Sequence, residues 1–426
     1  MLRLITVFVI VTSLINLFRL SWYLVGADLY AIRRARARKD VSYRPSVSLV
    51  VPVHNEGPVI ERTLEHMLKV DYNPLQLIVA DDGSTDDTLA RVHAWKAEHD
   101  LDDKIEVFTQ SNGGKANVLN HAIRALATGE LIMCLDGDSF FAPDAIEKAV
   151  AHFADERVVA SASNVNILPD GTLLGFIQRF EYLVNHHMKK AQTAWNVEYV
   201  IGGIGSMFRR SVLDEVGLYD TNTMTEDIDL TMKIIAAKGN RHHRVVFASD
   251  AIVYTEAVPS LRSLYKQRTR WKYGRMQAFY KNWRVFFSTE RKHTVGLSWF
   301  GLPIIVGQEI LGILEPLMVG IIFGVGIVYR SPSTIVSAVA LMALFSALNV
   351  LGNAQLPWRD KALMTAAAPL MYLGYYVITA IEYLSLLYLI RRFHRLPASV
   401  AHHGVTWKSP ERSGAVLGGR HRAVAS

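Results

Sequence analysis

Two hydrophobic patterns divide the chain. Short apolar runs alternating with amphipathic stretches fill its middle, and long, nearly unbroken apolar runs fill both flanks. In the middle, strands are predicted at residues 47–53, 76–80, 105–109 and 131–135, with helical patterns at 59–68, 88–98 and 116–127 between them. This alternation predicts an α/β domain with a mostly parallel sheet covered by helices on both faces. A further amphipathic helix is predicted at 228–237, and a basic helical stretch surrounds Arg262, Lys266 and Arg268.

The flanks read differently. Residues 4–25 are mostly apolar, interrupted by Asn16 and Arg19, and long enough to span a bilayer. The basic cluster Arg33-Arg34-Ala35-Arg36-Ala37-Arg38-Lys39 follows the run, whereas a cleavable signal has a shorter apolar core preceded by basic residues. An uncleaved anchor is expected, with its amino end outside and the next block in the cytoplasm. Residues 302–329, 334–351 and 362–390 each have the apolar length of a span. Glu309, Glu315 and Glu382 lie inside them, where an ionisable residue usually faces a polar interior.

The expected plan is therefore a transmembrane anchor at 1–30, a basic linker at 31–44 and a cytoplasmic α/β domain at 45–284. Interfacial and transmembrane helices follow at 285–395, then a basic tail at 396–426. One anchor plus three later spans would leave that tail outside, whereas Arg391-Arg392-Phe393-His394-Arg395 favours the cytoplasm. The stretch 294–329, broken by Pro303 and Pro316, is where an extra re-entrant or short span would resolve the conflict.

Composition supports this reading. The 426 residues are 50% hydrophobic and 20% charged. A mean hydropathy of +0.16 is high for a soluble protein. The net charge of +7 sits largely beside the apolar spans and in the tail, where it suits anionic lipid headgroups. There is no basic stripe with interleaved aromatics, so nucleic acid is not an expected partner. The single Cys134 excludes an intrachain disulfide and a cysteine metal cluster, and is expected in the core on its strand.

Candidate chemistry gathers at predicted strand ends. Asp136-Gly137-Asp138 follows the run 131–135, placing two hard oxygen ligands at the carboxyl edge of a sheet, where open α/β folds bind ligands. Mg²⁺ or Mn²⁺ can bridge such carboxylates to a diphosphate. Pro52-Val53-His54-Asn55-Glu56 ends the first strand as a polar loop that suits a base and ribose, or an ordinary turn. Asp81-Asp82-Gly83-Ser84-Thr85-Asp86 suits a nucleobase N–H, and equally a turn with a helix cap. Asn112-Gly113-Gly114-Lys115 offers glycines, a helix amino terminus and a point charge to a diphosphate, without P-loop spacing. Thr225-Glu226-Asp227 opens the helix at 228–237, as a cap or as the source of a general base. Gln267-Arg268-Thr269-Arg270-Trp271 offers charge for a leaving diphosphate and a flat ring for a sugar, or an interfacial amphipathic helix.

Taken in order, Asp136-Gly137-Asp138, Met224-Thr225-Glu226-Asp227-Ile228-Asp229 and Gln267-Arg268-Thr269-Arg270-Trp271 resemble the processive family 2 glycosyltransferases. Hyaluronan, chitin-oligosaccharide, cellulose and poly-N-acetylglucosamine synthases belong to that class. The resemblance covers residues 47–275 closely and the flanking spans in layout. It implies a nucleotide-sugar-transferase (GT-A-like) domain flanked by transmembrane helices and inverting at the anomeric carbon. The nucleotide would be bound by Pro52, Glu56, Asp82, Lys115, Asp136, Asp138 and Arg268, with Asp82 at uracil. Asp136 and Asp138 would hold Mg²⁺ or Mn²⁺. Asp227 would be the base, with Glu226 beside it, and Gln267, Arg270 and Trp271 would bind the diphosphate and the acceptor sugar. Gly202-Gly203-Ile204-Gly205-Ser206 would shape the acceptor site.

The activity so implied is polymerisation of a β-linked polysaccharide from a UDP-sugar, with UDP-N-acetylglucosamine as the leading donor. The growing polysaccharide is the acceptor, and it would leave through the membrane helices. Membrane lipids, and membrane or envelope accessory subunits, are the compatible partners, and the plasma membrane is the expected location. Two alternatives remain open: a non-processive transferase adding one sugar to a lipid, and a non-catalytic membrane transport or scaffold protein. The second predicts missing carboxylates, and Asp82, Asp136, Asp138 and Asp227 are all present.

Overall fold

The computed structural model describes residues 2–36, 42–101, 104–353 and 356–401. In chain order they form α1 (Leu2–Arg36), β1 (Val47–Val53), α2 (Ile60–Leu68), β2 (Leu75–Asp81), α3 (Thr88–Glu98), β3 (Ile105–Thr109), α4 (Lys115–Ala125), β4 (Leu131–Cys134) and β5 (Phe140–Phe141). Then come α5 (Ala145–Val150), β6 (Val158–Ile167), α6 (Leu173–Trp195), β7 (Ser206–Arg209), α7 (Arg210–Val216), α8 (Glu226–Lys238) and β8 (Arg244–Thr255). The last helices are α9 (Leu261–Lys281), α10 (Leu302–Val328), α11 (Pro332–Leu351), α12 (Trp358–Arg392) and α13 (Leu396–Ala401).

One eight-stranded sheet runs in the order β3-β2-β1-β4-β7-β6-β8-β5. The pairs β1·β2, β1·β4, β2·β3 and β6·β8 are parallel, whereas β4·β7, β6·β7 and β5·β8 are antiparallel. The order reverses between β1 and β4, which opens a crevice beyond their carboxyl ends. Every residue of β1 is buried. Val47, Leu49, Val51 and Val53 pack under α2, α3 and α5 on one face, and Val50 faces the core of α4 and α8 on the other. Burial on both faces explains why these runs show no polar alternation. Cys134 is buried on β4 beside the Tyr219 hydroxyl (3.4 Å), and burial pushes its thiol up to about 11.

The predicted elements shift only at their ends: the strand expected at 131–135 stops at Cys134, and the helix expected from 116 starts at Lys115. The amino-terminal helix is a larger departure. It continues through Arg36, into the segment expected as a basic linker. Two of its arginines, expected at lipid headgroups, are turned onto the α/β domain. Arg33 donates to the Ala194 carbonyl (2.6 Å), and Arg34 pairs with Asp250 (2.8 Å). Tyr30 donates to the Phe247 carbonyl (2.7 Å), and Trp22 stacks on Trp195. These contacts dock the first helix onto α6 and β8.

The later apolar runs are helical where expected, as α10, α11 and α12. Among the described residues no single helix is long and apolar enough to cross a membrane. One bent pair, Trp358–Met371 with Gly374–Ala401 at 60°, meets that test by length and composition. The Glu315 side chain and the tail beyond Ala401 lie outside what is described.

Phe208 on β7 is fully buried between the sheet and Tyr219. Phe208→Ala is expected to cost about 3–5 kcal/mol of stability, through lost transfer energy and the cavity left behind. A thermal unfolding midpoint unchanged from the native protein would show that this face of the sheet does not carry the core.

Candidate active site

The parallel register brings the expected segments to one edge. Val53 of β1 pairs with Asp81 of β2, and Val50 with Cys134 of β4, so His54–Glu56, Asp82 and Asp136–Asp138 all leave the sheet at the same end. Because β7 runs antiparallel to β4, with Cys134 opposite Ser206, the glycine segment before Ser206 arrives there too. The Gly205 N–H donates to the Cys134 carbonyl (2.8 Å).

The Asp-Gly-Asp turn is pinned from below by α2. Thr63 Oγ1 donates to the Gly137 carbonyl (2.7 Å), and Arg62 donates to the Asp138 carbonyl (3.3 Å) and to Glu256 (3.0 Å). Asp138 is 5% exposed and accepts a hydrogen bond from Ser139 (2.8 Å). Asp136 is more open, with 31% of its side chain accessible. Arg62, Thr63 and Glu256 carry no motif; Arg62 and Thr63 lie on a helix the sequence predicts, and nothing in the sequence pattern singled out Glu256. Pro52 is buried inside β1 and reaches the turn through its carbonyl, whereas Glu56 lies half-buried with its Cγ beside Gly137.

A charge cluster forms above this turn. Lys115 Nζ donates to Asp136 Oδ1 (2.5 Å) and lies 3.4 Å from Glu226 Oε1. Burial opposes the charge on this amine. Asp136, Glu226 and Asp227 outweigh burial and hold its pKa well above the ordinary lysine value. Asp227 Oδ2 accepts the Gly203 N–H (2.7 Å), and Oδ1 accepts the Ile228 N–H at the start of α8 (2.8 Å). Burial and the neighbouring Glu226 push its carboxyl up, to about 6, against the pull of Lys115, the Ile228 N–H and Arg270. A carboxylate poised near neutrality suits a general base. It has about four lone-pair sites, so two N–H donors leave room for a substrate hydroxyl. Thr225 makes no side-chain cap on α8, so a capping role does not account for it.

Gly203 lies where these groups converge. A Cβ there would fall 2.8 Å from Lys115 Nζ, 3.6 Å from Asp227 Oδ2 and 4.0 Å from Asp136 Oδ1. The crevice is therefore bounded by two acids and a cation, with no side chain between them.

Two expected contacts come out differently. The Gly113 and Gly114 N–H groups, expected at a diphosphate, donate to Asp82 Oδ1 (2.9 Å) and Oδ2 (2.8 Å), and Gln110 adds a third bond (2.7 Å). The anion held by this loop is Asp82 itself. Gly114 permits the turn with a φ of +90°. Arg268, expected at the nucleotide, is buried against Glu181 (2.8 Å), with its guanidinium 4.4 Å from the Trp271 ring centroid. Residues two apart point to roughly opposite sides of a helix. Arg270 lies close enough to Asp227 for its charge to be felt there, and Arg268 faces the other way. Arg268 thus backs Trp271, a cation–π contact worth about 0.5–2 kcal/mol. Gln267 is half-buried on the same helix.

The donor set can be tested against a divalent ion. Among the described residues no group of three or more His, Cys, Asp or Glu side chains forms a metal-holding cluster. Two carboxylates one residue apart suit an ion bound through one or two carboxylates, with substrate phosphates and water as the other ligands. Asp136 and Asp138 fit that chemistry.

Residues 45–274, more than half of the chain, match the family model described as glycosyltransferase like family 2. The chain belongs to this family. Among the relatives of this family 2 transferase is a poly-beta-1,6-N-acetyl-D-glucosamine synthase of Staphylococcus aureus, strain COL. It is 29% identical over 305 residues, which cover 69% of this chain and 70% of the relative. The Staphylococcus epidermidis protein of that name is 28% identical over 253 residues, 59% of each chain. The fold is also that of a mannosyltransferase from Pyrobaculum calidifontis, solved in complex with GDP-Man and Mn²⁺. That likeness has a TM-score of 0.56 and 25% identity, and covers 88% of this chain and 96% of the other. The chain is thus an enzyme of the GT-A-like α/β class, which sets aside the non-catalytic alternative.

Gly203→Ala is expected to lower kcat at least about tenfold, since a displaced charge of even 1 Å can cost about a hundredfold. The folded state should survive, because the new methyl meets the far end of a flexible lysine. Native kcat in a folded variant would show that the crevice is not shared by these three side chains.

Proposed function

We propose that this family 2 transferase polymerises a β-linked polysaccharide from a UDP-sugar, with UDP-N-acetylglucosamine as donor, at the cytoplasmic face of the cell membrane. The observation that carries the chemistry is the convergence of Asp227, Lys115 and Asp136 around Gly203. The polysaccharide and the sugar rest on the likeness to the poly-beta-1,6-N-acetyl-D-glucosamine synthases. The apolar helices α10 to α12 and the bent pair within 358–401 support membrane embedding and an exit path for the polymer.

In this reading the acceptor hydroxyl lies against Asp227. As its oxygen attacks the anomeric carbon, its proton passes to the carboxylate and the bond to the diphosphate breaks on the opposite face, with inversion. Lys115 and Arg270 take up charge on the departing UDP. Asp136 and Asp138 would hold Mg²⁺ or Mn²⁺, which supplies further neutralisation of the diphosphate. Trp271 gives the acceptor sugar a flat ring. Asp82 shapes the nucleotide end by fixing the glycine loop, and its remaining lone pair meets uracil.

Two measurements test this. UDP release from detergent-purified full-length protein, across UDP-sugars and GDP-mannose with Mg²⁺ or Mn²⁺, should be fastest with UDP-N-acetylglucosamine and give a long product. A single-sugar lipid product would replace polymerisation with the non-processive alternative. Asp227→Asn should lose about 10²–10⁴-fold in transfer while still binding UDP. Polymer synthesis at the native rate by that variant would remove Asp227 from the base role.

A further inference from the structure

We propose that Glu309 on α10 and Glu382 on α12 are positioning residues for the transfer step, acting through α9 and not on substrate. The inference rests on the transferase reading above. One face of α9 carries Arg268, Lys272 and Arg275 at four- and three-residue spacing, so the three cations share a side of the helix. Each meets acids from other helices. Lys272 Nζ pairs with Glu309 Oε2 (2.7 Å) and Glu382 Oε2 (2.8 Å), and Arg275 Nη1 pairs with Glu309 Oε1 (2.9 Å). Arg268 pairs with Glu181 (2.8 Å) and lies 3.7 Å from Glu382. The Lys272 and Glu309 side chains are 11% and 12% exposed. Three cations on one helix thus face three anions on α6, α10 and α12. Directional pairs of this kind, largely shielded from water, fix both the rotation and the axial position of the helix that bears them, because losing one partner leaves a mostly buried charge short of compensation.

The rest of α9 grips the segment that carries Asp227. A Cβ on Gly274 would lie 2.7 Å from Thr225 Cγ2, so the helix backbone touches the residue just before Glu226. Gln277 Oε1 accepts the Met224 N–H (2.9 Å), and its Nε2 donates to Ser399 (3.0 Å). Lys281 pairs with Asp220 (2.5 Å) and with Asp229. Residues 220, 224, 225 and 229 therefore all hang on α9, and Glu226 and Asp227 lie between them. Arg270 and Trp271 ride on the same helix. Asp136 and Lys115 belong to the sheet edge and do not. A shift of α9 against the sheet would separate the base and the acceptor-facing ring from the donor end of the crevice.

This predicts a pattern that loss of general stability would not give. In the transferase reading UDP is held chiefly by the sheet edge around Asp82, Asp136 and Asp138, with Arg270 as the one contact from α9, so most of its affinity should survive, whereas alignment of acceptor and base should not. The test compares full-length native protein with Glu309→Gln, Glu309→Asp and Glu382→Gln in detergent. It measures UDP affinity by calorimetry, kcat for UDP release, and the share of released sugar that enters polymer and is not hydrolysed. Both amide variants are expected to keep most of their UDP affinity and to lose at least about tenfold in kcat. A larger share of the sugar should end as hydrolysis product, and Glu309→Asp should recover part of the loss. If Glu309→Gln does not fold, Glu382→Gln carries the test, since Lys272 keeps Glu309. Native kcat and native polymer share in both amide variants would overturn the proposal, as would UDP affinity falling in step with kcat. Failure of the native protein to elongate would instead defeat the polymer reading, so the two failures are distinguishable.

Discussion

One half-buried ammonium group organises the catalytic edge. Lys115 lies between Asp136 and Glu226 and within the field of Asp227, so it joins the end of β4, the start of α4 and the start of α8 through one charged hydrogen bond and the charges around it. Unit charges 4 Å apart interact with about 4 kcal/mol at the effective dielectric of a protein surface. Three acids so close would repel one another strongly without the amine. The same arrangement sets the reactivity of Asp227, which burial and Glu226 raise while Lys115 and Arg270 restrain. Structure and chemistry here depend on one balance of charge.

The second constraint is the division of α9 into two faces. Its Arg268, Lys272 and Arg275 side meets acids on α6, α10 and α12, and its Gly274, Gln277 and Lys281 positions hold the segment around Asp227. A basic amphipathic helix read from sequence suggests a lipid surface. In the fold much of that basic charge is consumed by protein carboxylates, two of them on apolar helices. Arg33 and Arg34 follow the same rule, spending their charge on the Ala194 carbonyl and Asp250.

The sequence made the first half of the domain legible because β1, β2 and β4 are parallel strands largely buried on both faces, and each of β1 to β4 is followed by a polar loop containing glycine. The second half was harder. Strand β6 reads Val-Val-Ala-Ser-Ala-Ser-Asn-Val-Asn-Ile, so its small polar residues hide a strand that is almost wholly buried. Strand β7 has four residues and pairs antiparallel, which the alternation of strands and helices did not announce. The site carboxylates were legible as motifs. Their partners were not: Asp82 claims the glycine-loop amides, and Arg268 turns to Glu181, because both contacts depend on where a loop or helix face points after folding. Glycine at 203 was visible only as part of a glycine-rich segment, and its importance comes from the two strands whose antiparallel register carries it to the crevice.

The most direct test of this charge balance is the pH dependence of kcat/KM in the native protein and in Lys115→Met. A protonated Asp227 cannot accept the hydroxyl proton, so native activity should rise with pH through an inflection near 6. Removing the ammonium takes away a charge that favours the ionised carboxylate, so the residual activity of Lys115→Met should rise at distinctly higher pH. An identical inflection in both proteins would contradict the account, because Lys115 and Asp227 would then not share one electrostatic site.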